Sequence, residues 1–218
     1  MKSHDQQISR IERLNWSDFD QVAAVLPQAL ELLSASVDEM LDLMESDQMR
    51  IEQFPNFFKM VLAEFGGGGS LRLHVFPQRD IGSRHSHRWV FGSKVLVGRL
   101  QHNLYEEDTV YELREPGKEP LVSARVEFTG SNYVLWPSHV HSIEALEPTV
   151  TLVARGPEIR SRRFVDVPGI ERGWARQYAR PDQILAGAKV SRSIRSSAIE
   201  QAMALLTDGR PAAITPLQ

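Results

Sequence analysis

The chain has 218 residues, 42% of them hydrophobic, with a formal net charge of −3; that suits one globular domain with a substantial core. A balance this close to neutral creates no global field toward nucleic acid or an anionic membrane, so neither is an expected partner. Cysteine is absent, which excludes disulfides, thiolate zinc sites, iron–sulfur clusters and a cysteine nucleophile.

The first residues, "MKSHDQQISRIERLNW", carry charges where a signal peptide has its apolar stretch. No apolar run approaches the ~18–20 residues of a membrane helix. The expectation is a soluble, cytoplasmic protein. Residues 1–64 read as a helical region. Ser17, with Asp18 and Asp20 behind it, makes a helix start. Val22, Val25, Leu26, Leu30, Leu33, Val37, Leu41 and Met44 then recur every three or four positions. Pro27 marks a new first turn or a kink. Five Lys/Arg against twelve Asp/Glu leave this region at −7, which reads as an acidic solvated face.

"FGGGGS" (65–70) follows. No GK[ST] comes after the glycines, so it reads as a flexible joint and not as a phosphate loop. Residues 65–158 change character. "LRLHVF" alternates, with Leu71, Leu73 and Val75 on one face and Arg72, His74 and Phe76 on the other. "WVFGSKVLVGRLQHNLY", "TVYELRE", "PLVSARVEFTG", "NYVLWP" and "PTVTLVARG" are further β-rich runs, broken by turn material such as "EPGKEP" and "TGSN". Many short strands at this spacing predict an antiparallel barrel or jelly roll.

Residues 159–218 form the third region. The stretch 157–180 reads as irregular, and from 155 to 180 it carries seven Arg against three acidic residues. A closing helix is predicted over 181–207, with Ile184, Leu185, Ile194, Ala198, Ile199, Ala202 and Leu205 on one stripe. That stripe either packs on the barrel or serves a homodimer. All three regions are taken as parts of one domain.

Two histidine pairs stand out. "IGSRHSHRWVFGSKVLVG" contains His85 and His87, and "WPSHVHSIEALEPTV" contains His139 and His141. Imidazole is a neutral nitrogen ligand for iron, zinc, copper and nickel. Histidines at i and i+2 of a strand share a face and can clasp one ion. A third ligand from a neighbouring strand leaves coordination positions open, as catalytic sites require. Two surface histidines are the plainer reading of one such pair. Arg72 and His74 reach the site if their face is the barrel interior; otherwise they are solvated. His102 is expected at the surface. Trp89, Phe91, Tyr133 and Trp136 either line a pocket or fill the core.

These motifs resemble the cupin superfamily. Its first motif is Gly-x5-His-x-His-x3/4-Glu-x6-Gly. His85-x-His87 fits, Gly98 sits where the closing glycine belongs, Gly82 is displaced toward the pair, and Phe91 occupies the glutamate slot. The second motif is Gly-x5-Pro-x-Gly-x2-His-x3-Asn. Gly130 and His141 have its separation, Pro137 is one place late, and Ser138 and Ala145 replace the second glycine and the asparagine. The resemblance implies a cupin jelly roll with flanking N- and C-terminal helices. By its glycine spacing His141 is the third ligand, with His139 as the alternative.

A three-histidine site without carboxylate is similar to the thiol dioxygenase branch, which includes the cysteine dioxygenases. "LRLHVFPQRDIGSRHSH" and "HSIEALEPTVTLVARGP" have that branch's layout. Where those enzymes carry serine, histidine and tyrosine after the Glu-Pro, this chain has Thr151, Val153 and Arg155. Free cysteine is therefore not the expected substrate, and Arg155, with Arg72, becomes a candidate grip for a carboxylate or phosphate. The resemblance implies a mononuclear Fe(II) dioxygenase acting with O2 on a small anionic molecule, which could be a thiol. A non-oxidative isomerase or lyase using Zn, Mn or Ni, and a cupin that only binds a small ligand, are the alternatives.

Overall fold

The computed structural model describes residues 3–45, 49–54, 57–116, 118–167, 171–175 and 192–208. Three helices lead: α1 (Ser3–Glu12), α2 (Phe19–Leu33) and α3 (Val37–Glu45). The Asp18 side chain caps α2 by accepting from the Gln21 N–H at 3.0 Å. Val22, Leu26, Leu30 and Leu33 form its buried stripe. Pro27 lies inside α2 and does not open a new helix; burial of Leu26, Ala29 and Leu30 beside it outweighs the one backbone bond the ring removes. Leu26 packs onto Gly92, where an added Cβ would come within 2.6 Å of its methyl carbon.

The helical region ends earlier than the sequence predicts. β1 (Arg50–Gln53) and β2 (Phe58–Glu64) are strands, paired from Arg50↔Val61 to Gln53↔Phe58. The cause is burial on both faces. In "FKMVLAE", Phe58, Met60 and Leu62 meet the helices, while Lys59 and Val61 are buried on the opposite face. No alternation of apolar and polar remains to mark a strand. Gly66–Gly68, expected to be a flexible joint, is instead a tight turn into β3 (Ser70–Phe76), with Gly67 and Gly68 at φ 73° and 86°.

β4 (Asp80–Ile81), β5 (Arg84–His85), β6 (Phe91–Val97) and β7 (Arg99–Glu107) follow. "TVYELRE", expected as strand, is a short helix α4 (Asp108–Tyr111) and a turn. Buried Asp108 anchors it: its N–H donates to the Ser138 carbonyl at 2.8 Å and its carboxylate accepts from both Arg160 Nη atoms. Then come β8 (Leu121–Phe128), β9 (Asn132–Leu135), β10 (His139–Ala145) and β11 (Thr149–Arg155). The stretch predicted as irregular contains β12 (Arg163–Val167) and β13 (Glu171–Ala175), paired from Arg163↔Ala175 to Val167↔Glu171. Its arginines disguise it, because a charged residue reads as solvated although Arg163 is buried. The last described element is α5 (Arg192–Asp208). Residues 181–191 of the predicted helix, with Ile184 and Leu185, lie outside the described residues. Ala198, Ala202 and Leu205 are buried in the core, as one of the two readings of the stripe has it.

The strands form two antiparallel sheets, ordered β1-β2-β3-β11-β6-β9 and β13-β12-β5-β10-β7-β8. This is a mainly β, two-sheet jelly roll flanked by helices. Leu71, Leu73, Val75, Val150, Leu152 and Ala154 of the first sheet pack with α2, α3 and α5. Each fully buried aliphatic side chain there contributes ~1.5–3 kcal/mol of transfer free energy. The opposite face of that sheet presents Phe91, Tyr133, Leu135 and Val153 to the barrel interior, joined by Leu104 from the second sheet. Among the described residues no helix is long and apolar enough to cross a membrane.

Candidate metal centre

His85 ends β5, His87 follows it, and His141 lies in β10, in register opposite His85. The segment carrying the first two is pinned from both sides. Ser86 bonds Phe164 twice, through its own N–H (2.9 Å) and through its hydroxyl oxygen (2.8 Å). The His87 N–H donates to the Pro137 carbonyl at 2.9 Å. His85 Nδ1 lies 2.9 Å from the Ser83 carbonyl. A carbonyl only accepts, so Nδ1 carries the hydrogen and Nε2 keeps its lone pair.

The three imidazoles converge. One nitrogen from each lies within 4.8 Å of the others, and His87 Nε2 is 2.8 Å from His141 Nε2. Burial pushes all three histidines down, His85 to about 3; Arg163 adds to the effect at His85, and the other two are depressed further by neighbouring histidines. They stay neutral at physiological pH, the form that ligates. Such a set of neutral nitrogen donors can hold one transition-metal ion. His139, the alternative ligand, stands outside this group; it pairs with Glu107, farther along β10. Phe91, in the slot of the missing glutamate, has its ring 4.6 Å from that of His87 and 5.7 Å from that of His141. Among the described residues the group holds three histidines and no carboxylate.

Arg72 and His74 lie on the inner face, not the solvated one. Arg72 is buried, its Nε donating to Ser70 Oγ at 2.7 Å and its Nη1 3.4 Å from Glu52. His74 is pushed well down by burial and then by Lys59, Arg72 and Arg155. Arg155 donates to the Gly68 carbonyl at 2.6 Å and lies 4.0 Å over the Trp89 ring. Two cations were not singled out by the sequence. Buried Lys59 sits 4.5 Å over the Phe54 ring and is lowered to about 7, by burial first and then by Arg72. Buried Arg163 acts on His85 and His87. Alternation in "FKMVLAE" separates Lys59 from Phe58 and Met60, a signal available only once that stretch is known to be strand.

His102 corrects a second expectation: it is 2% exposed. Its Nε2 lies 3.2 Å from His141 Nδ1 and its Nδ1 3.4 Å from Glu127 Oε1. Tyr133 packs on it with ring centroids 4.4 Å apart. The sequence held the clue. Leu100, His102 and Leu104 share one face of β7, and two leucines flanking a histidine mark an inward face.

No protein-family model matches the sequence, and no curated protein matches it. Solved structures do. An RmlC-like cupin from Shewanella frigidimarina is 17% identical with a TM-score of 0.41, over 52% of this chain and 88% of that one. Drosophila melanogaster CENP-C bound to CAL1 is 14% identical with a TM-score of 0.42, over 58% of this chain and 99% of that one. A single-substitution variant of oxalate decarboxylase from Bacillus subtilis is 13% identical with a TM-score of 0.39, over 51% of this chain and 28% of that one. A decarboxylase and a CAL1-bound protein among similar structures mean that the likeness assigns no activity; the jelly roll itself rests on the strand pairing described above.

Proposed function

We propose that the protein is a non-haem, mononuclear iron dioxygenase with His85, His87 and His141 as the metal ligands, related in site chemistry to the thiol dioxygenases. The observation that carries this reading is the convergence of three neutral imidazoles with Phe91, not a carboxylate, beside them. Iron(II) bound there would supply the oxygen chemistry through its open coordination positions. The protein's own residues bind, orient and exclude water. Arg72 and Arg155 grip an anionic group on a small organic substrate, and the charge of Arg163 favours the same group. Phe91, Tyr133, Leu135 and Val153 keep the inner wall apolar. Val153 and Arg155 stand where the cysteine dioxygenases carry histidine and tyrosine, so the substrate is a carboxylic acid or thiol other than free cysteine.

A second reading has one observation in its favour. Three neutral donors leave the full charge of the ion uncompensated, which suits zinc, manganese or nickel acting as a Lewis acid in an isomerase or lyase. Protein prepared without air, with its metal content measured, is tested in an oxygen electrode against small thiols and carboxylic acids. Oxygen uptake that needs iron and vanishes in His85→Ala is the expected result. Uptake undiminished in metal-free protein contradicts the iron reading, and turnover without oxygen favours the second.

A further inference from the structure

We propose that His102, Glu127 and Arg125 form a positioning relay that fixes the tautomer of His141, so that His141 presents its Nε2 lone pair to the ion. This rests on the metal-centre reading above. The reasoning is one of donors and acceptors. His141 Nδ1 faces His102 Nε2 at 3.2 Å, and His102 Nδ1 faces Glu127 Oε1 at 3.4 Å. Arg125 Nε pairs with the same carboxylate oxygen. A neutral imidazole has one N–H and one lone pair, so the two alternate along the chain of contacts. An ionised carboxylate only accepts. His102 therefore carries its hydrogen on Nδ1 and donates to Glu127. Its Nε2 is then a lone pair, and the hydrogen between the two rings belongs to His141 Nδ1. His141 Nε2 is left as a lone pair, aimed at the position shared with His87 and His85.

Other observations agree. His102, Glu127 and His141 are all buried, so water does not substitute for a missing partner. Burial opposes ionisation of Glu127, yet the contacts with His102 and Arg125 hold its carboxyl below the usual range. Tyr133, packed on the His102 ring, fixes its plane. Arg125 is opposite His102 in the β7–β8 register, and Glu127 is one place along the same face. The relay thus comes from two neighbouring strands and needs no loop to form. Orientation of a ligating histidine through its second nitrogen is worth about 10–100-fold in metal affinity.

The direct test uses long-range proton–nitrogen NMR on the full metal-free chain. His102 and His141 should both appear as Nδ1–H tautomers. An Nε2–H tautomer at His141, or averaging between the two forms, overturns the relay. The second test measures cobalt(II) and zinc(II) affinity. His102→Phe, which removes the acceptor, should bind about 10–100-fold more weakly. His102→Gln, whose amide can accept from His141 and donate to Glu127, should recover most of that loss. Unchanged affinity in His102→Phe, or loss in His102→Gln equal to that in His102→Phe, contradicts the relay. A wild-type chain that binds neither ion sinks the metal centre itself, while the NMR result still decides whether the relay sets the tautomer.

Discussion

His87 and His141 face each other nitrogen to nitrogen at 2.8 Å, although 54 positions separate them in the chain. Both are 4% exposed or less. Two imidazoles so placed cannot both be protonated, since the charges would meet in a low-dielectric interior. The fold therefore keeps this pair neutral and makes it hostile to acid.

That gives the metal-free protein a defined pH dependence. The folded-state value of His85 lies near 3, and His74, His87 and His141 are pushed down as well. The unfolded chain binds protons at these positions from about pH 6.5 downward. Stability is then complete above about 6.5 and falls as pH drops toward 3. Each such histidine adds a slope approaching ~1.4 kcal/mol per pH unit within that window. Urea midpoints at pH 7.5, 6 and 5 measure it. A flat profile across that range contradicts the buried, neutral triad.

Gly98 closes the first cupin-like motif for a backbone reason. Its φ is +85°, and a Cβ there would collide with the Pro148 carbonyl oxygen and the Thr149 hydroxyl. Gly98→Ala should destabilise the fold by more than the ~1–2 kcal/mol of a left-handed alanine, because the β6–β7 corner must also shift away from Pro148. A urea midpoint within error of wild type refutes this role.

The anion grip predicts a separation of binding from metal content. Arg155→Met should weaken an acidic substrate or inhibitor by about 10–150-fold, the equivalent of a charged hydrogen bond of ~1.5–3 kcal/mol. Its metal content should equal that of wild type. Arg72→Met should behave likewise, with some added loss of stability because Glu52 loses a partner. Equal affinity for neutral and acidic ligands in wild type excludes the grip.

Phe91 offers a gain-of-ligand test. A carboxylate at 91 would stand beside His87 and His141, where a fourth ligand belongs. Phe91→Glu should melt lower than wild type without metal, since it buries a charge. Manganese(II) should raise its melting temperature by more than it raises that of wild type. A variant equally indifferent to manganese shows that position 91 does not reach the ion.

Much of this architecture is legible in the sequence, and the failures have a common cause. β3, β8, β9 and β11 read correctly because their turns and apolar runs are bounded, whereas β6 and β7 read as one run across Gly98. β2 does not read as strand, since both its faces are buried and it borders true helices. β12 hides among arginines: Arg163 turns inward, while Phe164 and Asp166 face Tyr105, Tyr111 and Val140 on the other side. At the site, His85 and His87 stand out by their spacing on one strand, and His141 by what the resemblance to the cupin motif implies. Glu127, Lys59 and Arg163 do not, because a polar residue on an inner face looks like one on an outer face until the partner strands are known; His102 is readable only from Leu100 and Leu104, which flank it. His139 shares the parity of His141, which makes it the alternative third ligand; only His141 falls in the group.

Metal titration of the full chain, with elemental analysis, tests the central claim most directly. Wild type and His139→Ala should each bind a single ion per chain. His85→Ala, His87→Ala and His141→Ala should each lose it. Retention of the ion in any of these three variants, or its absence from the wild-type chain, would contradict a centre built from those imidazoles.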